Sequence, residues 1–599
     1  MRAFYRGALF GAVLSLGALL PTSALACGGF FCNQAQPVNQ AAEGIIFADN
    51  GDGTTTAVIQ NQYQGPSKSF SWLLPISSVP KADSDIGVAS NLALQRLQSA
   101  TNPNYTLTTR VEGTCRQDNN LAVGTSAGGT SSPIANSVPG VDNGGVTVEA
   151  SGVVGAFEWA VISLDKSLAE PADAAITWLK ANQYDVPAGA GSLLGPYLAD
   201  GMYLLALKLT KGAGSGSIRP IVLTYAGSEA SIPVKLTAVA ANDDMGVLTW
   251  VLGPARAVPK NYLSLELNEA RINWFNAAPT YNSVVIEAAN DAGGQGFVTE
   301  FAGATKKLAG LVWTTSDQQN WTAIQNQVYG SFGDMFNRVY GQYGGWDGFW
   351  DATRAAVTLP ADLAFEDFKL CPNCYAGQIQ FKPASYFAEL QRLVIDPVQL
   401  VQNLIDAHPT LTRMYTTLSA EEMTLDPVFT FNADQGDVNN QHTAERVIEC
   451  NSKVSQFEAP WRIELPQGGV VRGNASNVGT WPTALNDLPP NARIVRTGDS
   501  GSGKVVEDNM EPITTGLAAY NASVIPTAPS GNGQPTGTGT GGSASGGGSA
   551  SGGSANSNDN PNASASGGGC NIAPANSSWS LLLGALALGT TMLRRRRSR

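Results

Sequence analysis

Histidine is almost missing: the 599-residue chain carries two, His408 and His442. Imidazole is the side chain that best exchanges protons near neutral pH, so acid–base and zinc chemistry has few groups to use here. The zinc-protease pattern H-E-x-x-H is absent, and a serine nucleophile would have to recruit one of these two rings. Charge is scarce as well, at 14% of residues against about 25% in an average soluble domain. Basic residues number 36 against 48 acidic ones. With no basic stripe and an acidic balance, the chain repels phosphate backbones, which excludes nucleic acid as a partner. No repeat at solenoid periods occurs. What is abundant is glycine and small polar residues, the composition of a neutral, exported surface.

Both ends carry address-like segments. Arg2 and Arg6 precede an apolar run from Gly7 to Leu20, and Ala24-Leu25-Ala26 gives a small-x-small cleavage pattern, so residues 1–26 are expected to be a signal peptide cut after Ala26. Ala24 stands where a lipoprotein signal usually has Leu, so Cys27 is expected to pair with a thiol rather than carry a lipid. At the other end, a Gly/Ser run leads to Cys570, an apolar stretch from Trp579 to Leu593 and the cluster Arg594 to Arg597. Fifteen helical residues span about 22 Å, short of a hydrocarbon core of about 30 Å. Such a marginal transmembrane segment (579–593) suits a span meant to be cut. The three-part tail 570–599 resembles the MYXO-CTERM sorting signal, and the resemblance implies processing and lipidation at Cys570. The partners expected here are signal peptidase, a sorting protease, and the membrane through the tail or its lipid. Loss of both ends removes seven arginines, taking 36 basic residues to 29 against 48 acidic ones and the net charge from −12 to −19.

Setting Cys570 aside leaves an even six: Cys27, Cys32, Cys115, Cys371, Cys374 and Cys450. In an oxidising compartment these are expected to form disulfides, with fifteen possible connectivities. Local pairing of Cys27 with Cys32 and of Cys371 with Cys374 would leave Cys115 for Cys450.

From Pro526 to Gly569 the chain is nearly all Gly, Ser, Ala, Asn, Pro and Thr and cannot bury a core, so 526–569 reads as a disordered tether. Gln117 to Gly145 reads as a surface insertion of similar composition. The remaining body is expected to be α+β, with a β-rich lobe at 27–340 and a more helical second lobe at 341–525, braced by disulfides. Ile45–Ala48 and Thr55–Gln60 flank a turn at Asp49 to Gly53 whose Asn-Gly and Asp-Gly supply positive φ. Calcium at these aspartates is the sharper reading, but the spacing misses the known loop. Further strands are expected at Ser69–Leu74, Tyr203–Leu209, Ile221–Tyr225, Val234–Val239 and Val247–Leu252. Helices are expected at Ala172–Ala181 behind Pro171, at Tyr386–Ile395 and at Pro397–Ala407, with a capping box at Ser419 and Glu422.

Ordered motifs recur along this body: CGGFFC at 27–32, WLLPI at 72–76, WLKANQYDVP at 178–187, PYLADGMYLLALKL at 196–209, PVKLTAVAANDDM at 233–245 and LSAEEMTLDPVFTFNADQGDVNNQHTA at 418–444. They resemble a secreted bacterial family known as domain of unknown function 2330. The resemblance runs to about residue 450 and implies no activity, because no catalytic or ligand residues can be carried over from it.

Two local constellations remain. Cys371-Pro372-Asn373-Cys374 fits a local disulfide, a thiol oxidoreductase or half of a zinc site with Cys27 and Cys32. A redox motif should open a helix, whereas Tyr375–Lys382 reads as a strand, which favours the closed disulfide. Asp434, Asp437 and Asn439, with Asn440 and His442, crowd one loop after Val428–Phe431 and form the best calcium candidate, although such residues most often serve turns. His408, at a helix end, reads as a cap. The functional expectation is an outer-surface envelope module without catalysis, serving adhesion, structure or capture of an external ligand. The alternative is an extracytoplasmic hydrolase working with two carboxylates.

Overall fold

The computed structural model describes residues 30–31, 39–64, 71–81, 85–116, 146–155, 157–165, 167–184, 186, 189–209, 219–239, 241–474 and 477–524. The expected signal peptide, the insertion 117–145, the linker, the tail and Ala26, Cys27, Cys32 and Cys570 lie outside them. Among the described residues no helix is long and apolar enough to cross a membrane.

Side-chain alternation decides the layering. Along the strand Asn39–Asp49, Ile45 and Phe47 point one way and Ile46 and Ala48 the other, and all four are buried. This strand pairs antiparallel with Thr54–Gln64 across a turn in which Gly51 and Gly53 take φ of 73° and 85°. Its other edge runs parallel to Ala241–Gly253. Among the described residues this sheet has ten strands, in the order Lys504–Asp508, Asn491–Arg496, Leu263–Leu267, Gly296–Ala304, Thr410–Leu418, Ala241–Gly253, Asn39–Asp49, Thr54–Gln64, Ile221–Ala226 and Ile86–Val88. Thr410–Leu418 sits between strands from earlier in the chain, so the expected lobes 27–340 and 341–525 share one sheet.

On the Ile45/Phe47 face lies an antiparallel five-stranded sheet that includes Ser71–Ile76, Tyr203–Leu209 and Phe157–Leu164. Trp72, Leu74, Trp159, Val161, Leu205 and Leu207 from it meet Ile45, Phe47, Met245 and Val251 in one core. Its outer face, through Ile162, Leu204 and Ala206, is covered by the helices Pro171–Ala181 and Ala190–Ala199. Helices Asn91–Thr101 and Asp396–Ala407 cover Ile46, Trp250 and Leu411 on the opposite side of the long sheet. The result is helix, sheet, sheet, helix. Each fully buried Leu or Phe contributes about 1.5–3 kcal/mol. Beyond Leu263, the long sheet shares a core with the helix Ala277–Asp291, the helix Met510–Val524 and a four-stranded sheet. The strand order of this smaller sheet is Val470–Gly473, Trp461–Glu464, Gln441–Glu449, Asn104–Glu112. Helices between Thr315 and Ile395 gather a separate aromatic core around Trp321, Phe336, Tyr343, Phe349 and Tyr386. The class is α+β.

Several expected elements differ. Val234–Thr237 is a short helix, not a strand: Pro233 precedes it, Asp426 accepts a hydrogen bond from the Lys235 amide at 3.0 Å, and Val234 and Leu236 enter two different cores. Tyr375–Lys382 is no strand; Pro372–Tyr375 forms a 3₁₀ turn, and only Gln380–Phe381 pairs, with Val357–Thr358. The two helices expected at 386–407 are one run. Pro383–Leu390 widens into a π turn at Gln391–Ile395 and continues as Asp396–Ala407, because Pro397 lacks an N–H and crowds the carbonyl four residues back. Ser419 and Glu422 cap a turn instead of a helix. The Glu422 carboxylate accepts from the Ser419 amide at 2.7 Å, while the Ser419 hydroxyl accepts from Asp244. Helices also become dense from Thr315, earlier than the expected boundary near Gly341.

Cys115 and Cys450 are bonded with Cα atoms 4.8 Å apart, and Cys371 and Cys374 with Cα atoms 5.4 Å apart. The first closes a 335-residue separation at the ends of two neighbouring strands, where the Cys450 amide also donates to Glu112 at 2.8 Å. Replacing both Cys115 and Cys450 by serine is expected to lower the unfolding free energy by about 2–5 kcal/mol in urea titration.

Candidate functional site

The parallel pairing of Asn104–Glu112 with Gln441–Glu449 sets Tyr105 directly beside His442. Neighbours at this register share a sheet face, and the rings stack with centroids 4.5 Å apart and planes 14° apart. Trp274 meets Tyr105 edge-on at 5.1 Å. This aromatic wall places the His442 ring against Glu269, whose Oε1 lies 2.7 Å from Nδ1. A carboxylate only accepts, so Nδ1 carries the proton and Nε2 is left for exchange. Glu269 opens the 3₁₀ turn Glu269–Arg271. The turn is fixed by Asn268, which accepts from the Ala270 amide and donates to the Pro489 carbonyl. The other oxygen of Glu269, Oε2, is buried without a hydrogen-bond partner.

A second carboxylate closes in from the long sheet. Glu300 on Gly296–Ala304 accepts from the Tyr281 hydroxyl at 2.5 Å through Oε1, and pairs with Arg413 of Thr410–Leu418 through Oε2. Arg413 and Glu300 are 4% and 3% exposed. The guanidinium also donates to the Gln98 carbonyl at 3.0 Å and the Thr101 hydroxyl at 3.2 Å, and lies over the Trp250 ring. Burial lifts the Tyr105 hydroxyl well above the usual phenol range, and the charges of Glu269 and Glu300 lift it further. Burial, then Glu300, does the same for Tyr281. Both phenols therefore stay neutral at physiological pH.

Six elements thus converge on Tyr105, Glu269, Tyr281, Glu300, Arg413 and His442. Glu300 has both oxygens occupied, so its task is to hold Arg413 and Tyr281. Glu269 and His442 form an oriented pair in which the His442 side chain is 25% exposed. A surface depression of about 400 Å³ on the outer side of Asp396–Ala407, lined by Asp396, Gln399, Leu400, Asn403 and Leu404, holds none of the six.

A lone acid sits elsewhere. Glu43 shares the inter-sheet face of its strand with Ile45 and Phe47, is 5% exposed, and has Oε2 buried without a partner. Burial pushes its carboxyl up to about 7.

The residues singled out by sequence have definite places. Asp434 accepts from the Gly501 amide at 2.6 Å, Asp437 pairs with Lys307 at 3.0 Å, and Asn439 accepts from the Gln441 amide at 3.1 Å. Asn440 donates to the Ala100 and Asn102 carbonyls at the end of Asn91–Thr101. Of that loop, only His442 joins the cluster. Among the described residues no three His, Cys, Asp or Glu side chains gather as a metal site. The turn aspartates Asp49 and Asp52 accept from Gly51 and Thr54. His408, at the end of Asp396–Ala407, faces the Leu404 carbonyl at 2.7 Å and the Asp49 carbonyl at 2.9 Å, tying the helix to the hairpin. Sequence reasoning missed Tyr105, Glu269, Tyr281, Glu300, Arg413 and Glu43. The available signal was a single charge in an otherwise apolar stretch, as in FVTEFAGA and AAEGIIFA.

No curated protein and no solved structure matches the chain. The segment that carries Tyr105, Glu269, Tyr281 and Glu300, but stops short of Arg413 and His442, is similar to a known family: residues 21–316 match the one described as an uncharacterized protein conserved in bacteria, domain of unknown function 2330.

Proposed function

We propose that this chain is an exported envelope protein whose body is a non-catalytic binding or structural module held at the outer surface by its tail. The observation that carries this reading is the pair of disulfides, Cys115 with Cys450 and Cys371 with Cys374, since such bonds persist outside the reducing cytosol. The commitment of Glu300, Arg413 and Tyr281 to one another supports a bracing role for the most conspicuous polar cluster. The test is protease treatment of intact native-host cells with mass spectrometry of the released and retained peptides. Peptides from the body are expected to be shed, and the retained C-terminal peptide to carry a modified Cys570 and no Arg594 to Arg597. A body protected from protease in intact cells sinks the proposal; an intact arginine tail turns the tail into a plain anchor.

A carboxylate-dependent hydrolase is the second reading, favoured by the free Oε2 of Glu269 beside a partly exposed His442. It requires turnover of aryl glycosides by the purified protein that Glu269→Gln abolishes without changing the melting midpoint.

A further inference from the structure

We infer that Cys371-Pro372-Asn373-Cys374 is a thiol–disulfide exchange site, opened and reclosed by a dithiol partner while the rest of the fold stays intact. Exchange needs an accessible sulfur, a scaffold that does not depend on the bond, and a second sulfur held ready to reclose it. All three are present. Cys374 is exposed and Cys371 half-buried. The turn has its own supports: Cys371 donates to the Phe368 carbonyl at 3.2 Å, the Cys374 amide to the Cys371 carbonyl at 3.0 Å, and Gln378 to Tyr375 at 2.8 Å. Asn373, between the sulfurs, is pinned from outside by donating its side-chain amide to Asn337 of the helix Phe332–Tyr343 at 2.9 Å. Phe368, fully buried, anchors the preceding helix, Phe365–Leu370. Opening the bond therefore leaves both cysteines on a fixed turn with Cα atoms 5.4 Å apart, and reclosure is a local, high-effective-concentration event. The motif follows the helix Phe365–Leu370 and lies in a four-residue 3₁₀ turn, Pro372–Tyr375, so it opens no α-helix, and the strand expected after it shrinks to Gln380–Phe381.

The other bond differs in accessibility and in sequence span. Cys115 and Cys450 are both half-buried and join chain segments 335 residues apart.

In the exchange, a partner thiolate attacks Sγ of Cys374. The bond to Sγ of Cys371 breaks, and Cys371 leaves as a thiolate that takes a proton from water. The partner's second thiol, deprotonated, then attacks its own sulfur in the mixed disulfide and releases Cys374. Two electrons pass from the partner dithiol, which is oxidised, to this disulfide, and the reverse sequence returns them by reducing a partner disulfide.

The test is graded reduction of the oxidised full chain with dithiothreitol, alkylation and peptide mass spectrometry, followed by circular dichroism. Cys371 and Cys374 are expected to be alkylated at a dithiothreitol concentration at least about tenfold lower than Cys115 and Cys450, with an unchanged near-ultraviolet spectrum. Cys371→Ser treated with oxidised glutathione is expected to hold one glutathione at Cys374, and the double variant C371A/C374A to keep the wild-type melting midpoint. Simultaneous opening of both disulfides, failure of Cys374 to take glutathione, or loss of folding in the double variant would overturn the inference.

Discussion

Replacing Glu300 by alanine is expected to destabilise the protein by about 3–5 kcal/mol, because it strands a charged guanidinium in the interior. Arg413 is 4% exposed, and Glu300 is the carboxylate that neutralises it. The Gln98 carbonyl and Thr101 hydroxyl would still accept from Arg413, but neither carries a compensating charge. The Tyr281 hydroxyl would lose its acceptor in the same step. Urea titration of Glu300→Ala against wild type measures the loss. The paired variant Glu300→Leu, Arg413→Met separates two accounts of the cluster. If the ion pair only fills space, the double change is close to neutral, since a buried pair replaced by apolar side chains of similar volume commonly is. If it also fixes how the helix Ala277–Asp291 seats on the sheet, the double variant keeps its stability and loses near-ultraviolet dichroism from Trp250 and Trp274. A Glu300→Ala variant as stable as wild type would contradict the burial of this pair.

Glu43→Gln is expected to act in the opposite direction and only above a definite pH. The Glu43 carboxyl is pushed up from 4.5 to about 7 by burial, so the folded state holds its proton more tightly than the unfolded chain. The stability tied to that proton is fully present below pH 4.5 and is lost as pH rises through 7. A displacement of this size amounts to about 3 kcal/mol, so at pH 8 the non-titrating Glu43→Gln is expected to be about 3 kcal/mol more stable than wild type, and near pH 4 about equal to it. Unfolding midpoints of both proteins across pH 4–8 measure this; parallel curves would show that Glu43 does not titrate across the window.

Some of this was legible residue by residue. Asn-Gly and Asp-Gly with flanking β-branched residues specify the hairpin Asn39–Asp49 with Thr54–Gln64, because only those dipeptides supply the positive φ it needs. Pro171 specifies a helix start, since φ is preset and no N–H is wasted. The near-continuous apolar run YLLALKL specifies a strand buried on both faces. Val234–Thr237 was not legible in the same way. Its apolar residues fit either period over four positions, and what decided for helix was Asp426, which is remote in sequence and reaches the Lys235 amide. The candidate site failed for a related reason. His442 was visible as a rare residue, but Tyr105, Glu269 and Glu300 come from distant segments, and no local spacing connects them.

The sequence by itself determined composition class, the scarcity of proton shuttles, the α+β character and the small set of cysteines that could pair, because each follows from residue type or short-range backbone preference. Only the tertiary structure decided that one ten-stranded sheet runs through both halves of the chain, that Cys115 reaches Cys450, and that two carboxylates, two phenols, an arginine and a histidine share one buried cluster. Those facts depend on strand register, and register is set by the long-range burial of both faces of a sheet, which no window of neighbouring residues contains.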